Sequence, residues 1–160
     1  MTIQILSLIV ALLAVIISPF VTYKITKKNL EFQFRTIIKE HWINKLEDAA
    51  HSFLNCTSEW MGKYPVIKDG SWQIENPNKE IDRMLDTIHS SIIKLELLLD
   101  INKKDQSIIL DKVAAMSAII HSKVYDDNSI NTLRTNHDEI IDSLQNIFHR
   151  ERTKIADIFR

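Results

Sequence analysis

Six histidines are the first residues to test for chemistry, because they occur in a chain rich in carboxylates. A zinc-binding helix places two histidines four residues apart with a glutamate between them, and the sequence has no such pair. A di-iron bundle needs two carboxylate-x-x-His pairs and two further glutamates, whereas Asp86 and His89 form a single pair. We therefore expect no metal site and no cofactor. We interpret all six as surface or half-buried side chains: His41, His51, His89, His121, His137 and His149.

The single cysteine and the scarcity of glycine argue against nucleophilic and nucleotide chemistry. Cys56 follows an apolar stripe with no glycine-rich elbow nearby, so we expect a small buried or half-buried thiol. Two glycines in the whole chain cannot supply a phosphate-binding loop or a dinucleotide fingerprint. Basic and acidic residues number 20 and 21, so no excess of positive charge is available for nucleic acid. The sequence predicts a protein that is not an enzyme and does not bind nucleic acid.

The N-terminal region has the pattern of a membrane anchor. The first 23 residues carry no charged side chain, and Lys24, Lys27 and Lys28 follow at once. Because a helix needs about 20 apolar residues to cross a bilayer, we expect residues 1–27 to form a transmembrane anchor. A cleaved secretory signal is one alternative, but the start lacks a basic residue and the apolar core is too long. A buried helix of a soluble protein is the other alternative.

The three lysines also predict orientation. Basic residues follow the apolar stretch and none precedes it, so the positive-inside rule places the N-terminus outside the cell. Residues 28–160 are then expected in the cytoplasm, on a single-pass protein of the bacterial inner membrane. One cysteine, which excludes an internal disulfide, fits that reducing compartment.

The remaining residues are typical of a helical bundle, because turn-forming residues are rare and apolar residues recur at three- and four-residue spacing. The predicted elements are a first helix from Lys28 to about Trp60, a loop over 62–77, a helix beginning at Pro77, a connection over 100–102, a third helix, a turn over 126–129 and a last helix from about Ile130 or Thr132 to Phe159. The predicted fold is all-α, with an N-terminal transmembrane helix followed by an up-down antiparallel four-helix cytoplasmic bundle. Whether the anchor and the first bundle helix are continuous stays open, because Pro19 or the lysine cluster can mark a bend.

One segment after the anchor carries a family resemblance. The run from Lys39 to Leu46, KEHWINKL, resembles the basic-x-x-Trp-Ile-Asn-x-Leu segment of a group of small single-pass bacterial and phage membrane proteins. Arginine is expected where Lys39 stands and again near Glu47. The resemblance implies a bacterial or prophage origin and no particular activity.

Six residues are candidates for contact with a partner. Trp42 is either a core anchor or part of such a surface, and Asn44 and Lys45 form an exposed edge of the same helix. The loop aromatics either fold back over the helices as a lid or present a docking patch: Trp60, Tyr64 and Trp72.

Together these observations favour a non-enzymatic interaction or scaffold protein that presents its bundle to an unknown protein partner or to itself, with the lipid bilayer as a further partner. The alternative is a membrane-acting effector of phage exclusion or host defence, in which the span oligomerises and the bundle senses. A tethered enzyme with a metal in the bundle core is a third possibility, and it would depend on His89.

Overall fold

The computed structural model describes the backbone of residues 2–68, 77–122 and 126–157, and the side chains of residues 15–65, 78–122 and 126–157. Within these ranges the secondary structure consists of four α-helices and contains no strand. The helices are α1 (Thr2–Lys68), α2 (Pro77–Leu98), α3 (Lys104–Ser122) and α4 (Asp127–Ala156). The predicted all-α helical bundle is confirmed.

The chain divides into two units, Met1–Glu40 and His41–Arg160. Helix α1 contributes residues to both, whereas the sequence places the domain boundary between residues 27 and 28. The second unit is the bundle, built from residues 41–68 of α1 together with α2, α3 and α4.

The structure bears only in part on the predicted anchor. Among the residues described, no helix combines the length and the apolar character that crossing a membrane requires. The side chains of residues 1–14, which make up half of the predicted anchor, lie outside the described residues. The anchor therefore stays a prediction.

Helix α1 continues well beyond the end that the sequence predicts. It passes through Gly62 and Pro65 to Lys68, so the predicted loop is wrong for residues 62–68, and residues 69–76 lie outside the described part. Proline removes only one backbone donor from a helix. Trp60 and Tyr64 are one turn apart and both are buried, so packing on this face favours the helix past the proline.

Contacts between side chains show that neighbouring helices of the bundle run antiparallel. Residues of increasing number in one helix meet residues of decreasing number in the next, and residues 99–103 form the short turn between α2 and α3. The contacts are Trp42 with Leu98 and Lys63 with Glu80 between α1 and α2, Glu47 with Arg152 and Leu54 with His137 between α1 and α4, and Asp105 with Arg150 and Lys112 with Glu139 between α3 and α4.

The core consists of the apolar stripes that the spacing predicts. Its buried members from those stripes are Leu46, Ala49, Phe53, Ile88, Ile92, Leu95, Leu99, Ile109, Val113, Met116, Ile120, Leu133, Ile140, Leu144 and Ile147. The spacing in the first helix predicts a stripe through Ile38, Trp42, Leu46, Ala49 and Phe53, widened by Ile43, Ala50 and Leu54. Ile43 and Ala50 are buried as predicted, whereas Ile38 is exposed. Spacing alone does not distinguish these neighbouring positions, because the direction in which the stripe turns depends on the helices packed against it.

The start of α4 differs from expectation, while its predicted end at Phe159 lies outside the described residues. The helix begins at Asp127, because the carboxylate of Asp126 accepts a hydrogen bond from the Ser129 backbone N–H at 2.7 Å and caps it. Towards its C-terminal end Ile155 is buried. Arg150 bonds to Asp105 and Arg152 to Glu47, which holds this part of α4 against α3 and α1.

Candidate interaction surfaces

Trp42 connects α1 to the C-terminal end of α2. Its Nε1 donates a hydrogen bond of 2.8 Å to the backbone carbonyl of Leu98, the last residue of α2. Carbonyls in the last turn of a helix have no partner within that helix, so the indole takes the role of a cap. Trp42 is half-buried and packs against the core, and the structure thus places it as a link between two helices.

Hydrogen bonds between side chains and the backbone fix the conformation of the turn after α2. The buried Gln106 accepts a hydrogen bond from the Asp100 backbone N–H at 2.7 Å. The Asp100 carboxylate accepts from the Asn102 backbone N–H, and that hydrogen bond lowers the pKa of Asp100. Asn102 also donates a hydrogen bond from its side-chain amide to the Asp100 carboxylate. Gln106 was missed, although it falls in phase with the apolar stripe of α3.

Asn44 and Lys45 are exposed, as expected for an edge of α1. Lys45 lines an open groove of about 400 Å³ between α1 and α2, opposite Lys94 and Leu97. Leu97 is 80% exposed and Ile101 is 71% exposed, which is high for large aliphatic side chains. This end of α2 therefore presents an apolar surface beside two lysines.

Two aromatic residues of the expected lid, Trp60 and Tyr64, belong to the core, and the third, Trp72, is not among the described residues. Trp60 and Tyr64 are buried and stack with ring centroids 4.4 Å apart and planes 15° apart. The Trp60 Nε1 is buried and finds no acceptor among the described residues. Trp72 lies outside the described residues. As placed, Trp60 and Tyr64 contribute to the interior of the bundle.

A cluster of four charged residues joins α1 and α2 near Trp60. Lys63 bonds to Glu59 and, at 3.4 Å, to Glu80, while Arg83 bonds to Glu80 at 2.8 Å and to Glu59 at 3.2 Å. The Arg83 hydrogen bond, with help from Lys63, lowers the pKa of Glu80 to about 2. Hydrogen bonding to Glu59 raises the pKa of Lys63. Both shifts favour the ionised forms of Glu80 and Lys63 at neutral pH.

A second groove, of about 360 Å³, lies between α1 and α4 and brings His51 and His137 together. His137 Nε2 is 3.3 Å from the Leu54 carbonyl, and its Nδ1 is 3.5 Å from an Asp138 carboxylate oxygen. Protein oxygens thus face both ring nitrogens of His137. Over the described residues, no group of three or more His, Cys, Asp or Glu is arranged to hold a metal ion.

Cys56 is half-buried on α1. Burial, followed by the negative charge of Glu59, raises the pKa of its thiol, while Arg83 lowers it to a smaller extent. The thiol is therefore protonated at neutral pH and a poor nucleophile.

The lysines of the predicted stop signal lie on an exposed stretch of the first unit. Lys24, Lys27 and Lys28 are all exposed, and so are the large apolar side chains described before them, from Val15 to Tyr23. Phe20 is 70% exposed, for example. In a water-soluble monomer such a run would be unusual, because large apolar patches mark contact with a partner or a membrane.

Comparisons with protein-family models, with curated proteins and with solved structures gave no match.

Proposed function

We propose that this chain is a non-enzymatic, membrane-anchored helical interaction protein whose bundle is presented to a protein partner or to a second copy of the chain. The observation that carries the proposal is the exposed apolar run of α1, which belongs to the same uninterrupted helix as the first bundle segment. The bacterial or phage origin implied by the KEHWINKL resemblance is part of the proposal.

The exposed run fits a bilayer better than it fits water. Apolar surface in contact with water costs roughly 25 cal/mol per Å², and the large side chains from Val15 to Ile25 are about half to three-quarters exposed. A helix over residues 3–25 would be about 35 Å long at 1.5 Å per residue. A hydrocarbon core of about 30 Å matches that length, and the lipid chains would cover the run on all sides.

The lysines that follow would then lie at the headgroups. A basic side chain near an anionic surface contributes about 1 kcal/mol, so Lys24, Lys27 and Lys28 would retain the helix end on one side. The positive-inside rule makes that side the cytoplasm, and the membrane is the bacterial inner membrane.

The surface proposed to meet a partner protein is the end of α2 together with the α1 edge beside it. Leu97 and Ile101 supply apolar area. The polar rim beside them is of mixed charge and consists of Asn44, Lys45, Asp48 and Lys94. An apolar centre with a polar rim is the usual composition of a protein interface.

Location is tested by expressing the full chain in bacteria with a reporter on either terminus and extracting the membranes at alkaline pH. We expect the protein to stay in the pellet and only the C-terminal reporter to show cytoplasmic activity. Ile17→Lys, within the proposed span, should shift protein to the supernatant, whereas Asn29→Lys, beyond it, should not. Complete extraction of the unaltered chain at alkaline pH would contradict the proposal.

Partner binding is tested by cross-linking the full chain in intact cells and identifying what is captured. We expect one dominant partner, lost in Leu97→Asp but retained in Ala114→Asp, which places the same charge on the exposed face of α3. Growth arrest with depolarisation on expression, and capture only of higher oligomers that need residues 1–28, would instead favour the membrane-acting effector.

A further inference from the structure

An exposed apolar stripe continues on α1 beyond the lysines, in the first unit. Leu30, Phe34 and Ile37 are 60%, 65% and 62% exposed, and Ile38 beside them is also exposed. The spacing of four and three residues puts these side chains on one side of the helix. We refer to Leu30, Phe34, Ile37 and Ile38 as the juxtamembrane stripe.

The juxtamembrane stripe is one face of an amphipathic helix. At 3.6 residues per turn, Glu31 and Arg35 lie at one edge of the stripe and Gln33 and Glu40 at the other. All four are exposed. The buried Thr36 lies on the opposite side of the helix. Between Leu30 and Ile38, the exposed large apolar side chains therefore form one band along the helix, with polar side chains on both sides of it.

Lipid does not reach most of this band. This step rests on the proposed function, in which the hydrocarbon core ends near Ile25. Phe34 would then lie about 14 Å past the core and Ile37 about 18 Å past it, at 1.5 Å per residue. The headgroup layer extends only about 5–8 Å on each side, so these two side chains would stand in water unless protein covers them.

We propose that a second copy of this chain covers the juxtamembrane stripe, α1 packing in parallel against α1. A common anchor gives every copy the same orientation and depth, so the stripes of two copies lie at the same height and are self-complementary. The spacing also continues towards the N-terminus through Ile16, Phe20 and Tyr23, all exposed, in the alternation of three and four residues that forms a coiled-coil seam.

Lys27 is the one charged residue at a seam position, and it lies where the headgroups would be. A lysine there can bury its aliphatic stem in the seam and extend its ammonium group to the phosphates. Confinement to one membrane raises the effective concentration of the second copy, so a short seam is enough for pairing.

The inference is tested by disulfide scanning of the full-length chain in isolated bacterial membranes, to which a mild oxidant such as copper phenanthroline is added to accept the two electrons. Cys56→Ser removes the native thiol, and single cysteines are then placed in the stripe (Leu30, Phe34, Ile37) and away from it (Asn29, Arg35). Seam positions of a parallel pair face each other within disulfide reach, whereas the outward positions do not. We expect several-fold more disulfide dimer at the stripe positions than at Asn29 and Arg35. Equal cross-linking at all five positions, or none at the stripe, would overturn the inference.

A second variant guards against loss of folding in the cysteine series. Phe34→Glu should abolish energy transfer between differently labelled copies in the same membrane, whereas Arg35→Glu should preserve it. If the chain is found in the membrane but forms no stripe-specific disulfides, the pairing is refuted and the proposed function as an anchored interaction protein is unaffected. Stripe-specific disulfides in a chain found outside the membrane support the pairing and refute the anchor.

Discussion

Replacing Trp42 with phenylalanine is expected to cost more stability than replacing Trp60, although Trp60 is the more deeply buried of the two. Trp42→Phe removes the hydrogen bond from Nε1 to the Leu98 carbonyl and leaves that carbonyl, at the end of α2, without its partner at a part-buried site. Removing one partner of such a pair costs about 1–3 kcal/mol. The expected fall in the free energy of unfolding is about 2 kcal/mol.

Trp60→Phe involves two effects of opposite sign. Deleting part of a fully buried ring costs about 2 kcal/mol in lost burial and cavity formation. The same deletion removes a buried N–H group that has no acceptor among the described residues, and relief of such a group contributes about 1–3 kcal/mol. The net change is expected to lie within about 1 kcal/mol of zero.

The two variants are compared by urea unfolding of the chain that begins at Asn29, followed by circular dichroism at 222 nm, because tryptophan fluorescence changes with both substitutions. A domain of this size has about 5–15 kcal/mol of stability, so a difference of 2 kcal/mol is measurable. The changes in the free energy of unfolding should add in the double variant, as they do for independent sites. If Trp60→Phe destabilises the protein by clearly more than Trp42→Phe, the reasoning from hydrogen bonds is refuted.

Three further outcomes are expected. In the folded protein the pKa of Glu80 falls to about 2, so the stability from its pairing with Arg83 is present above its ordinary pKa of 4.5 and is lost as the pH falls towards 2. Urea unfolding measured from pH 6 to pH 2 should show a smaller loss of stability in Glu80→Gln than in the unaltered chain. The same pH profile in both proteins would contradict this expectation. Asp126→Ala should lower the free energy of unfolding by removing the cap on the Ser129 N–H, whereas Asp126→Asn, which keeps an acceptor oxygen, should lower it less. Deleting residues 1–28 should leave a soluble helical domain that unfolds cooperatively. A disordered product would contradict the interpretation of residues 41–157 as a helical bundle.

Local patterns were sufficient for most of the bundle. Pro77 marks the start of α2, because proline suits the first position of a helix. The stripe through Ile109, Val113 and Met116 is buried in α3 as its spacing predicts. Both features depend only on backbone geometry and helical period, which a run of neighbouring residues specifies by itself.

The candidate interaction residues were less predictable. Asn44 and Lys45 are exposed as expected, but Trp60 and Tyr64 belong to the core, because α1 continues past Pro65. Glycine and proline end a helix only where tertiary packing does not offset the free-energy cost of placing them in its interior. Here the burial of two large aromatic side chains by helices distant in sequence does so.

The sequence by itself determined the all-α class, the periodic core and the charge-free N-terminal stretch, since each depends on the order and period of side chains along the chain. The tertiary structure decided that the Trp42 indole caps α2 through Leu98, that Gln106 closes the turn after it, and that Ile38 and Leu97 remain exposed. These depend on which helix lies opposite each side chain. An amphipathic stripe shows that a face requires cover, but only the packing of distant segments specifies what covers it and which residues stay in contact with solvent.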